Sequence, residues 1–358
     1  MSHHILMTGG GTLGPVTPLL AVAAEWRKRD PDVKISWIGT PHGPERVLLE
    51  SAKIDFYPLT APKFDRTRLW TLPFVPPLLL WSCFQAWRQL SSLQPDLVMS
   101  AGAYVSVPVV WMARLKGMPV WVHQLDVLPG LANKLMARVA NKISVTWNES
   151  AAGFPEYKTE VVGAMARKFV KVGEQHMARE RYGFAADKPT VIEMGGGTGA
   201  ANLNDMMLTI APDLLKRANV LHLTGKGKML GSLESIGAHY VAVEFLNEGM
   251  ADAYAVADVV VARAGMGTIA ELAALGKPTV LIPMPGTHQE ANAKALVDRD
   301  AAEMVRQLTP QTLLQAIERL LTNQTRREQL AHNIRGIFAL NADERIVHGS
   351  LELLNPKV

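Results

Sequence analysis

The chain nearly lacks cysteine. Its one thiol, Cys83, allows no internal disulfide, which fits a reducing compartment. Cys83 lies in the apolar run LLLWSCFQAW and reads as a small hydrophobe. No charge of one sign dominates: 37 Lys and Arg face 33 Asp and Glu, a net of +4. There is no arginine-rich arm and no stripe of alternating basic and aromatic residues, which argues against a nucleic-acid partner. Long hydrophobic runs are missing too. The greasiest segment, Leu69 to Phe84, contains Pro73, Pro76 and Pro77 and falls short of the ~20 apolar residues of a membrane-spanning helix. Ile5 to Met7 is too short for the apolar part of a signal peptide, so a cytoplasmic protein is expected.

What is present is strand, loop and helix, repeated. HILMTGG, DVKISWIGT, DLVMSAG, PVWVHQ and KISVTW read as short buried strands with amphipathic segments between several of them. A second series follows in PTVIEMGGGTGA, NVLHLTGKG, HYVAVEFL, DVVVARAG and PTVLIPM. The expected fold is therefore α/β, with two parallel-sheet domains of 1–163 and 164–337 and a C-terminal helix at about 338–358 packed back on the first. TPQTLLQAIERLL opens on Thr309, placed as an N-cap.

Each half opens alike, on ILMTGGGTLG and VIEMGGGTGA. A glycine loop between a strand and a helix offers backbone N–H groups and a positive helix end to an anion. Neither loop continues as Gly-Lys-Ser/Thr, so neither is a nucleotide-triphosphate loop of that kind. Gly9, Gly11 and Gly14 satisfy G-x-G-x-x-G, but no second strand ends in a convincing acid for a dinucleotide's ribose. Asp298 and Asp300 form an Asp-x-Asp pair of the kind that bridges a metal to a diphosphate. On a helical pattern they would not share a face, so a solvated charge pair is expected and no metal is assigned.

Later segments carry a family resemblance. YVSVPVVWMARLKGMPVWVHQLDVLPGLANKLMARVA, GGGTGAANLND, TGKG and FLNEGMADAYAVADVVVARAGMGTIAELAALGKPTVLIPMPGTHQEANAKAL resemble the MurG-type N-acetylglucosaminyltransferases of glycosyltransferase family 28, in the same order along nearly the whole chain. The resemblance implies the GT-B fold, two Rossmann-like domains facing a deep cleft. It implies inverting transfer of N-acetylglucosamine from UDP-GlcNAc to undecaprenyl-diphosphate-linked N-acetylmuramoyl-pentapeptide (lipid I to lipid II). The enzyme would work on the cytoplasmic face of the membrane, without cofactor or metal.

The resemblance also implies residue roles. Donor binding falls to Thr12, Gly14, Arg167, Gly197, Thr198, Gly199, Leu246, Met250, Arg263, Gly265, Thr268, Glu271, His288 and Gln289. Small residues after a strand let backbone approach a nucleotide, and the helix opening at Gly265 faces phosphates. Glu271 would hold the ribose hydroxyls, its alternative being a first-turn acid on the macrodipole. Gln289 has the donors and acceptors a hexose needs. Acceptor binding falls to Gly10, Gly11, Tyr104, Ser106 and Asn133. The first glycine loop is then the acceptor-side loop, holding the diphosphate of a lipid carrier. Trp70, Phe74, Trp81 and Phe84, flanked by Lys63, Arg66, Arg68 and Arg88, suit a patch lying on a membrane surface, with a core helix as the alternative.

The departures from the family cluster on the acceptor side. Where the family reads GGTGGHxxP the chain has GGTLGPVTP, so Pro15 replaces a histidine that could serve as base. HEQN is HQLD, and GGYVSGP is GAYVSVP, with Ala103 and Val107 in place of glycines. The proton acceptor is therefore assigned to Asp126, with His123 second and a turn or cap role for Asp126 as the alternative. Two further readings stay open: a family 28 transferase with another lipid acceptor or sugar, and a non-catalytic nucleotide-sugar-binding subunit.

Overall fold

The computed structural model describes residues 2–63, 73–165, 173–195, 200–229, 236–246 and 249–355. The chain forms two compact units, Met1–Met165 with Ala339–Val358, and Ala166–Phe338.

The first unit runs β1 (His4–Thr8), α1 (Val16–Arg29), β2 (Lys34–Gly39), α2 (Glu45–Ser51), β3 (Asp55–Pro58), α3 (Val75–Leu93) and β4 (Leu97–Ser100). It continues with α4 (Ser106–Leu115), β5 (Val120–Gln124), α5 (Leu131–Ala137), β6 (Lys142–Val145), α6 (Asn148–Ala151) and β7 (Thr159–Val161). The strands pair in parallel in the order β3-β2-β1-β4-β5-β6-β7. Alternate residues of one strand feed opposite faces. Ile5 and Met7 of β1 join Trp26, Trp37 and Trp121 in one core, while Leu6 joins Ile38, Leu90, Val110 and Val122 in the other. Both faces are covered, which is why the strands read as continuous apolar runs.

The second unit holds α7 (Gln175–Tyr182), β8 (Thr190–Met194), α8 (Ala201–Leu214), β9 (Asn219–Leu223), β10 (Tyr240–Val243), α9 (Met250–Val256) and β11 (Val259–Ala262). After these come α10 (Met266–Leu275), β12 (Thr279–Leu281), α11 (His288–Val297), β13 (Glu303–Met304), α12 (Pro310–Thr322) and α13 (Gln324–Arg335). Its sheet is also parallel, ordered β10-β9-β8-β11-β12-β13. Thr309 caps α12 with its hydroxyl on the Thr312 N–H. A last helix, α14 (Ala342–Leu354), belongs to the first unit, where Ile346 and Val347 enter the core that holds Trp26.

Strand order reverses between β1 and β4 in one unit and between β8 and β11 in the other. Open parallel sheets bind ligands at the carboxyl ends of their strands beside such reversals. Pro76 and Pro77 do not break the apolar segment but open the 19-residue helix α3, whose first turn needs no N–H from them. Among the described residues no helix is long and apolar enough to cross a membrane.

Candidate active site

In the first unit the loops after β1 and β4 flank the strand reversal. Gly11 stands at φ +78°, a conformation glycine adopts freely. The Tyr104 ring lies against it, 3.2 Å from where a Cβ on Gly11 would be. The Gly11 N–H donates to Oε2 of Glu45 at 3.1 Å. Burial, with the nearby Glu45 charge adding to it, pushes the Tyr104 hydroxyl pKa up. Thr12 and Gly14 are exposed on the same loop, and Pro15 stands at the N-cap of α1 without a side-chain bond. Ser106 is not exposed on the loop after β4. It is fully buried and its hydroxyl donates to Gly102 O at 2.7 Å, so it braces the loop after β4.

The HQLD segment closes β5. His123 is 1% exposed, with Nδ1 2.9 Å from Ser144 Oγ and Nε2 3.3 Å from Thr146 Oγ1. Burial lowers its pKa to about 3. As second choice for the proton acceptor it has neither access nor basicity, because a charged imidazole cannot be solvated there. Asp126, two residues past the strand, is partly exposed on a turn held by neighbours. Gln124 Nε2 donates to Asp126 O at 2.7 Å, and Ser150 Oγ donates to the same carbonyl at 3.0 Å. Asn133 is buried behind this turn, its Nδ2 donating to Gln124 Oε1 at 2.6 Å and to His123 O at 3.2 Å. Its Oδ1 faces Gly102 without a hydrogen-bond partner among the described residues. So Asn133 supports the loops after β4 and β5 from beneath.

In the second unit the loops after β11 and β12 are laced together. Arg263 Nη1 donates to Ile282 O at 3.0 Å and to Pro283 O at 3.4 Å. Asn292, in α11, donates to Ala264 O at 3.1 Å. Thr287 caps α11 by accepting from the Gln289 N–H, and Gln289 Oε1 accepts from the Met284 N–H at 3.1 Å. These bonds bring Arg263, Gly265, His288 and Gln289 to one end of the sheet. Among the described residues, nothing lies within 4 Å of where a Cβ on Gly265 would be. Thr268 is in the first turn of α10, whose N-cap is Gly265.

Glu271 lies in the second turn of α10 and is buried, its Oε2 accepting from Tyr254 OH at 2.8 Å. It is therefore not a first-turn acid on the macrodipole. Leu246 packs beside Gly249, while Met250 is 2% exposed and its side chain belongs to the core, as an apolar residue opening a half-buried helix should. Arg167, Gly197, Thr198 and Gly199 lie outside the described residues, as do Arg66, Arg68 and Trp70 of the apolar segment. Asp298 pairs with Lys294, and Asp300 with Arg326, so the two acids serve different cations. Among the described residues no group of three or more His, Cys, Asp and Glu side chains could hold a metal.

Sequence reasoning missed three polar residues. Glu45 bonds the first glycine loop. Glu244 accepts from the Gly227 N–H at 3.1 Å, tying the TGKG loop to the end of β10. Glu193, in β8, is fully buried 2.9 Å from His222 Nε2, and His222 Nδ1 meets Tyr240 OH at 2.6 Å. Burial raises the Glu193 pKa, offset in part by His222 and Arg263. Each is a single acid with no pattern around it, so only the fold reveals its partners.

Comparison with known proteins fits this geometry. Residues 5–145 match the glycosyltransferase family 28 N-terminal domain, and residues 190–346 the family 28 C-terminal domain. The chain is 32% identical over 355 residues to the UDP-N-acetylglucosamine–N-acetylmuramyl-(pentapeptide) pyrophosphoryl-undecaprenol N-acetylglucosamine transferase of Bacillus subtilis, covering 96% of this chain and 97% of that one. It is 36% identical to the Lachnospira eligens protein of the same description, over 88% of this chain and 90% of that one. The crystal structure of Acinetobacter baumannii MurG superposes with a TM-score of 0.77 at 29% identity, over 98% of this chain and 100% of that one. The calicheamicin glycosyltransferase CalG4 shares the fold at a TM-score of 0.74 and 17% identity, over 99% of each chain. The two parallel-sheet units are thus those of the GT-B glycosyltransferases. The chain belongs to glycosyltransferase family 28.

Proposed function

We propose that the chain transfers N-acetylglucosamine from UDP-GlcNAc to undecaprenyl-diphosphate-linked N-acetylmuramoyl-pentapeptide, with inversion. The observation that carries this reading is likeness to transferases of that description over nearly the full length of both partners. The second unit would hold the donor. Open space at Gly265 admits backbone contact, the N-terminus of α10 stabilises the departing diphosphate, and the capped start of α11 presents His288 and Gln289 to the sugar. Glu271, fixed by Tyr254, would accept from the ribose.

The first unit would hold the acceptor, with Asp126 taking the proton from its hydroxyl. Asp126 sits at the carboxyl end of β5, on a turn that Gln124 and Ser150 hold in place. The exposed face of α3 would rest on the membrane. Leu80 is 72% exposed, Trp81 53% and Phe84 50%, with Arg88 over the Phe84 ring and Lys116 over the Trp87 ring. Aromatic rings and basic neighbours of this kind suit the headgroup level of a bilayer.

The departures at Pro15, Ala103, Val107 and Gln124 favour one second reading, a family 28 transferase with a different lipid acceptor. Purified protein incubated with lipid I and UDP-GlcNAc separates the two. The expected products are UDP and lipid II, identified by mass spectrometry. UDP release only with another lipid acceptor selects the second reading. Binding of UDP-GlcNAc without turnover on any acceptor removes both. Asp126→Asn should lower turnover at least ~100-fold, the usual loss of a general base, with UDP-GlcNAc affinity within a few-fold. Unchanged turnover in that variant sinks the assignment of Asp126.

A further inference from the structure

The first glycine loop has the form of an anion site, yet an anion already fills it. Glu45, at the start of α2, is completely buried. Its Oε1 accepts from the Thr40 N–H at 2.7 Å and from Thr40 Oγ1 at 2.5 Å, and its Oε2 accepts from the Gly11 N–H at 3.1 Å. Three glycines make room for it. A Cβ on Gly10 would fall 2.1 Å from Oε1, one on Gly43 1.9 Å from Oε2, and one on Gly39 3.0 Å from Oε1. A run of glycines that reads as space left for a ligand is, at Gly10, space left for the protein's own carboxylate.

The helix behind the loop offers an anion little more. Pro15 has no N–H. The Val16 and Thr17 N–H groups both turn back to Leu13 O, at 3.1 and 3.2 Å. A phosphate brought to Gly10 and Gly11 would meet a like charge and a donor already in use.

We propose that Glu45 is a positioning residue that permanently occupies the anion site of this loop, so that the loop meets the lipid-linked acceptor through neutral groups and not as a cradle for its diphosphate. Glu45 ties the end of β2 to the Gly10–Gly11 peptide, and the Tyr104 ring holds that peptide from the other side. The inference rests on assigning the loop to the acceptor.

The test compares wild type with Glu45→Gln, using inorganic pyrophosphate as a competitor of the lipid acceptor at saturating UDP-GlcNAc. The amide keeps the shape but removes the charge and turns an N–H toward a backbone donor. KM for the acceptor should rise at least ~10-fold while KM for UDP-GlcNAc stays within two-fold. Pyrophosphate should compete with the acceptor at least ~5-fold more tightly in Glu45→Gln, because the site has lost its resident charge. Equal or weaker competition in the variant overturns the proposal. A rise in the donor KM with the acceptor KM unchanged instead removes the assignment of the loop to the acceptor. Thr40→Val guards against a Glu45 variant that does not fold. It deletes one hydrogen bond to the carboxylate and keeps the charge, so the acceptor KM should rise a few-fold with no gain in pyrophosphate competition. An unchanged acceptor KM there also overturns the proposal.

Discussion

Ala103 stands at φ +81°, in the left-handed region that favours glycine. The family pattern has a glycine here, and this chain places an alanine methyl group on a left-handed backbone. Such strain costs ~1–3 kcal/mol, and the entropy glycine loses on folding returns ~0.5–1 kcal/mol of that. Ala103→Gly should therefore stabilise the first unit by about 1 kcal/mol, read as a higher denaturant midpoint at unchanged slope. A lower midpoint would show that the methyl group's packing outweighs the strain. His123 gives a second prediction, in pH. Its folded pKa of about 3 lies below the ordinary histidine value of 6.5, so the native state refuses a proton that the unfolded state binds. Stability from this group is full above pH ~6.5 and falls as pH drops toward 3, by up to ~1.4 kcal/mol per pH unit. His123→Gln lacks that titration. The stability gap between wild type and variant should narrow from pH 7 to pH 4, and a constant gap would contradict the burial argument.

Helix α3 has two faces with different jobs. Ser82, Ala86 and Leu90, four residues apart, are buried, and Leu90 and Ala86 pack in the core beside Val110. Leu80, Trp81, Phe84 and Trp87 face outward, Trp81 and Phe84 with ring centroids 5.6 Å apart. Replacing Trp81 and Phe84 with serine removes apolar surface the fold does not use, so the denaturant midpoint should hold. Burying such side chains is worth ~1.5–3 kcal/mol each, so binding to anionic vesicles should fall at least ~10-fold in a flotation assay. Vesicle binding that survives the double variant means another surface meets the membrane. At this scale the sequence was informative where burial was complete. Ten strands announced themselves as apolar runs, because most of them are covered on both faces and their few polar residues, such as Glu193 in β8 and His222 in β9, are buried with the rest. β3, β7 and β13 did not, since they are short and none contains a buried residue. Glu45 was illegible for another reason. An acid after a proline at the start of a helix has an ordinary explanation in the macrodipole, and its real partners come from β1 and β2. Asp126 was legible only through the resemblance, which marks it as a departure from a pattern.

At the scale of the molecule, each unit has cores of its own. Trp26, Trp37 and Trp121 anchor the first, with α14 returning to it after the whole second unit has been traversed. Leu203, Val220, Val259 and Leu313 lie in the second. The chain therefore enters and leaves the second unit near residues 165 and 339, and that unit folds around a core drawn from its own residues. A ligand held by one unit should then stabilise that unit without stabilising the other, because binding shifts only the equilibrium of the state that binds. Apart from Thr12 and Gly14 on the first glycine loop, the proposed donor residues among those the structure describes, from Leu246 to Gln289, lie in the second. At UDP concentrations ~100-fold above Kd the expected gain is ~2.7 kcal/mol. Amide hydrogen exchange resolves it by location. Slowly exchanging amides of β8, β9 and β11 should slow further with UDP, by about a hundred-fold where exchange requires opening of the unit, while those of β1, β4 and β5 keep their rates. Glu271→Ala should shrink the protection in proportion to its loss of affinity. Equal protection of both sheets would mean that the units open together, and protection confined to the first would move the nucleotide to the other glycine loop.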